Sequence, residues 1–116
     1  IVAKRYTSTD DLILQLSRRD QAFILIDEGD NELFKISAEG KINLKETENG
    51  SIGQVSIKIG EVKEEVENST ITDRSRILVT PDQFVVYKVT KMGSGFMIEI
   101  QDPAIQTVNF DYLIIN

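Results

Sequence analysis

Phe23-Ile-Leu-Ile-Asp-Glu-Gly-Asp-Asn-Glu-Leu-Phe-Lys-Ile-Ser-Ala-Glu-Gly-Lys-Ile42 decides the fold class, because it sets three short apolar runs between two polar, glycine-bearing breaks. Ala22–Ile26 is rich in strand formers. Asp27–Asn31 behind it is dense in turn residues. Leu33–Ile36 follows, then a turn at Ala38–Gly40, then Lys41–Leu44. No stretch here holds a helical apolar period over an adequate length. Strands of about four or five residues joined by tight turns are the reading.

Toward the N-terminus, Leu12, Leu14 and Leu16 alternate with Ile13, Gln15 and Ser17, which predicts an extended segment. Toward the C-terminus, Glu46–Gly53 collects Asn49, Gly50, Ser51 and Gly53 and marks a boundary. Beyond it Val55, Ile57 and Ile59 alternate with Ser56 and Lys58. Glu61–Glu67 reads as a strand or a single turn, since Gly60 and Asn68-Ser69 bound it closely. Arg76–Thr80 is a strand ended by Pro81, and Phe84–Thr90 is another. Met92-Gly-Ser-Gly95 supplies a hairpin turn with two residues free to adopt positive φ. Phe96–Ile100 returns from it, and Val108–Ile115 closes the chain. The pattern predicts an all-β protein: a short extended, shaft-like segment over residues 1–48, then a small antiparallel β-sandwich or open barrel over residues 49–116.

The two halves pose different physical problems. From about Ser51 onward there are enough alternating strands to close a small core. The first half has short strands, frequent turns and no long element to bury its apolar side chains. An array of hairpins that small is marginal alone in water. Its apolar residues are therefore expected to meet copies of the same chain. The candidate interface is Leu12, Leu14 and Leu16 together with Phe23, Leu25, Phe34, Ile36, Ile42 and Leu44.

Composition removes several function classes. The formal charge is -6, and Lys and Arg are scattered among acids, a poor footprint for a polyanion. Nucleic acid is thus not an expected partner. The chain has no Cys and no His, which removes disulfides, thiolate metal sites and the commonest general base. No apolar run approaches the roughly 18 residues that span a bilayer. The chain opens on Ile1, the expectation being a fragment or a processed form of an exported or virion-borne product.

Sharper chemical readings give way to plainer ones. Asp27, Asp30, Asn31 and Glu32 lack the alternate spacing of a calcium loop, so a polar turn is the reading. Glu61, Glu64, Glu65 and Glu67 form a solvated acidic face. A carboxylate pair for glycoside cleavage needs a groove that so short a chain has little room for. Ser17, Ser37, Ser69 and Ser75 have no histidine to activate them, and no Ser-Lys spacing stands out. Phe84, Phe96 and Phe110 are expected in the core, with Tyr87 and Tyr112 as the better candidates for exposed aromatic contacts. Asn68-Ser69-Thr70 matches a glycosylation sequon and reads as a turn. No catalytic residue, metal or cofactor is expected.

The stretch Phe23–Ile42 resembles the shaft repeat of tailed-phage fibres, in which Asn-x-Leu-Phe-x-Ile/Val leads to a small residue, x-Gly and another strand. Asn68-x-x-Ile71, Ser75-x-Ile77-x-Val-Thr-Pro81, Gly93-Ser-Gly-Phe96, Ile98-x-Ile100, Asp102-Pro-Ala104 and Val108-x-Phe-Asp-Tyr112 resemble the β-module that often follows such a shaft. Together these cover roughly residues 22–116, and the segment before Asp20 departs from the pattern. The resemblance implies a homotrimeric fibre or surface appendage, on a virion or outside the cell, with no catalytic residues to carry over. Its partners would be copies of itself and a cell-surface glycan or protein receptor. Two alternatives stay open: a subunit of an extracellular filament polymerised by N-terminal strand exchange, and a carbohydrate-binding β-sandwich.

Overall fold

The computed structural model describes residues 9–10 and 13–116. Among them there is no helix. Nine strands form three small antiparallel sheets, none closed into a barrel. The chain divides into two compact units, Ile1–Asn43 and Leu44–Asn116. Turn Thr47–Gly50 belongs with the second by its bonds, since Asn68 Nδ2 donates to Gly50 O at 2.9 Å and Ser69 N to Asn49 Oδ1 at 2.9 Å.

The first sheet has the order β1-β2-β3, built from β1 (Ala22–Ile26), β2 (Glu32–Ser37) and β3 (Ile42–Leu44). The same turn joins both pairs, starting at Asp27 and again at Ser37. Asp27 N donates to Asn31 O at 3.0 Å, and Asp30 N returns to Asp27 O at 3.2 Å. Ser37 N donates to Lys41 O at 2.9 Å, and Gly40 N returns to Ser37 O at 2.9 Å. In each, the fourth residue is left-handed: Asp30 at φ 61° and Gly40 at φ 84°. The leading side chain locks each loop. Asp27 Oδ1 accepts from Asn31 N at 3.0 Å, and Ser37 Oγ from Lys41 N at 3.1 Å. Residues 13–16, expected to be extended, belong to no strand.

The second unit is a sandwich. One sheet runs β4-β9-β6, from β4 (Ile52–Ile57), β6 (Arg76–Pro81) and β9 (Val108–Ile115). The other runs β5-β8-β7, from β5 (Lys63–Glu67), β7 (Tyr87–Met92) and β8 (Gly95–Ile100). The two central strands supply most of the core, because each is flanked on both sides. Phe96, Ile98 and Ile100 come from β8; Val108, Phe110 and Ile114 come from β9. Rings tie the sheets together edge-to-face, Phe96 to Tyr112 at 5.2 Å and Tyr87 to Phe110 at 5.6 Å.

Two local expectations are corrected. Phe84 is neither in a strand nor in the core: β7 starts at Tyr87, and Phe84 lies in the preceding loop, 110% exposed. The alternation that promised a strand from Phe84 is real, since Val85 and Val89 do pack against the core. What ends the pairing is the partner strand, whose last residue, Ile100, already faces Tyr87. The second correction is the β7–β8 turn, where neither Gly93 nor Gly95 has a positive φ. Gly95 is needed for another reason: a Cβ there would collide with the backbone carbonyl of Val66 on β5.

Candidate functional site

The sheet β1-β2-β3 gathers most of the apolar residues singled out above. In the β1–β2 ladder Phe23 faces Ile36 and Leu25 faces Phe34. The Ser37–Lys41 bond brings Ile36 beside Ile42 where β3 leaves the second turn. Phe23, Leu25, Phe34 and Ile36 thus share one face of the β1–β2 ladder, and Ile42 and Leu44, two apart, share a face of β3 beside it. The reverse face is mixed: Ala22 and Ile24 stand opposite Ser37 and Lys35.

Among the described residues, the patch is solvent-exposed or half-buried. Leu25 is 51% exposed, Ile42 64% and Leu44 42%, and no described residue from 9 to 43 is buried. By contrast, all ten core residues among those described lie between Val55 and Ile114. Of the remaining candidates, Leu14 is exposed and Leu16 half-buried, both outside any strand. Leu12 lies outside the described residues.

The polar candidates have structural occupations. Asp27 spends its carboxylate on the first turn, accepting from Gly29 N at 2.8 Å as well as from Asn31. Asn68 is 1% exposed, with Nδ2 on Gly50 O and Oδ1 accepting from Thr70 N at 3.0 Å. Sequence reading recognised the turn at Asn68 but not that its side chain seals it to a second loop 18 residues away. Ser75, also buried, accepts from Thr72 N at 2.8 Å and donates to Asn116 Oδ1 at 2.5 Å. Tyr87 and Tyr112 rest their rings on the core, and burial, then the charge of Glu46, holds the Tyr112 phenol above its usual 10.0.

Among the described residues, Asp82 is the carboxylate held below its usual range. Its cause is Asn109, whose side-chain amide donates at 2.9 Å and whose backbone N–H donates at 3.0 Å. That pair anchors the β6–β7 loop to β9. The arrangement is a strut, not a proton-transfer device.

Compared with known proteins, the chain matches no family model, no curated protein and no solved structure.

Proposed function

We propose that this protein is a structural or adhesive fibre module, of a phage tail or other surface appendage, that assembles as a homo-oligomer through the apolar face of its first sheet. One observation carries the reading: six large apolar side chains lie in one three-stranded sheet, four of them on a single face of its β1–β2 ladder, and none is buried. Burying a Leu, Ile or Phe side chain is worth about 1.5–3 kcal/mol, so six give on the order of 10 kcal/mol per chain, comparable to the cost of association. An isolated three-stranded sheet of such short strands gains little from its own contacts. Copies of itself are the partner whose surface matches in kind.

Native mass by light scattering over a wide dilution range tests this. A fixed multiple of the 13.1 kDa chain is expected, dissociating in Ile36→Asp and in Leu25→Asp. Open-ended, concentration-dependent growth that is lost on removing residues 1–20 would instead favour a strand-exchange filament. A folded monomer at every concentration, with the patch still exposed, defeats both.

A further inference from the structure

The loops that join the strands at one end of the sandwich enclose a second feature, unrelated to the apolar sheet. Residues 82–86 link β6 to β7, and residues 101–107 link β8 to β9. Between them lies a cleft of about 500 Å³, within the size range of small-ligand sites. Buried Ile100, Ala104 and Val108 line it from the core side. Phe84, 110% exposed, and Ile105, 92% exposed, stand on the two loops.

The loops are braced against each other. Asp82 takes both bonds from Asn109, and Gln83 Nε2 donates to Thr107 O at 2.7 Å. Gln106 Nε2 donates to Gln83 Oε1 at 3.2 Å, and Gln101 N to Val86 O at 3.0 Å. A phenyl ring fully exposed on a braced loop is costly to leave in water and cheap to use, because little ordering entropy remains to be lost on binding. The polar side chains lining the cleft are the amides of Gln83, Gln101 and Gln106 and the carboxylate of Asp102, with Gln83 bonded to both Gln106 and Thr107.

We propose that this cleft binds an uncharged glycan. A ring face offered to solvent suits the apolar C–H face of a pyranose. The amides can give to and take from sugar hydroxyls, and the carboxylate can take from them. Charge narrows the class: no Lys or Arg lines the cleft, its one ionisable group is Asp102, and the chain carries -6 overall. Uronates, sialic acids and phosphorylated sugars would meet repulsion there. The proposal is independent of the oligomer reading, because every group it uses lies in the second unit.

The test is calorimetric titration of the full chain with soluble, monovalent neutral oligosaccharides terminating in glucose, galactose, mannose or N-acetylglucosamine. At least one is expected to saturate, with uronate- and sialate-terminated controls weaker. Phe84→Ala should weaken it tenfold or more without lowering the melting temperature, and Phe84→Tyr should retain it. Native mass is read in parallel. Failure of every neutral glycan to saturate at millimolar concentration overturns the proposal, as does equal binding by Phe84→Ala. A fall in native mass on Phe84→Ala also overturns it, since the cleft would then hold a second copy of the chain. Ile36→Asp, which addresses the apolar sheet, should change mass and leave monovalent glycan affinity alone.

Discussion

The two units are written in the same local grammar and come to opposite ends. Both are short antiparallel strands with period-2 alternation and tight polar turns. In the second, two sheets face each other, and Phe96, Ile98, Phe110 and Ile57 end fully enclosed. In the first, the described residues form a single sheet, and Phe23 and Leu25 remain solvent-exposed. The lesson is that alternation specifies a face and says nothing of its cover. A sheet needs a second layer to bury its apolar side, and three strands alone do not supply one.

The sharpest way to break this comparison is to remove the same side chain from each unit. Phe110→Ala should cost about 3–5 kcal/mol, enough to unfold most of so small a domain, and urea denaturation measures it. Phe23→Ala should leave the denaturation of the second unit unchanged and act on native mass alone. Equal effects of the two would show that the units are not energetically distinct.

Smaller changes probe how the sandwich is sealed. Gly95→Ala forces β5 away from β8 and should cost about 1–3 kcal/mol, read as a lowered urea midpoint. Asn68→Ala strands the Gly50 carbonyl and the Thr70 amide, for about 1–3 kcal/mol, by the same measurement. Asn68→Asp should be no rescue, because the donor to Gly50 is lost. A neutral result for either alanine would mean that these contacts are looser than their geometry implies.

The smallest effect concerns pH. Asp82 has a folded pKa below its ordinary 3.8, so the stability it contributes is present above that value and is lost as pH falls through the folded pKa. Acidification below about pH 4 should therefore loosen the β6–β7 loop before it reaches the core. Amide hydrogen exchange of residues 82–86 across pH 3–6 checks this, with Asp82→Asn expected to flatten the profile.

Much of the fold was legible because strands and turns are local. Asp27-Glu-Gly-Asp-Asn31 and Ser37-Ala-Glu-Gly-Lys41 announce their turns through residues that tolerate positive φ and side chains that bond their own backbone. The six patch residues could be named because alternation is itself the signal. Phe84 shows where the method stops: Val85, Tyr87 and Val89 alternate correctly with it, yet β8 ends before it can pair. Asn68 shows the same limit for polar groups, since its bond to Gly50 spans 18 residues.

The sequence by itself determined an all-β chain of short strands, the positions of most turns, and a core confined to the later part. Those follow from the backbone preferences and side-chain period of each segment. Only the tertiary structure decided which sheets of the second unit face each other, and that Phe84 stands in water while Phe96 does not. Burial is a property of elements brought together from far apart in the chain, and no local pattern records which of them will meet.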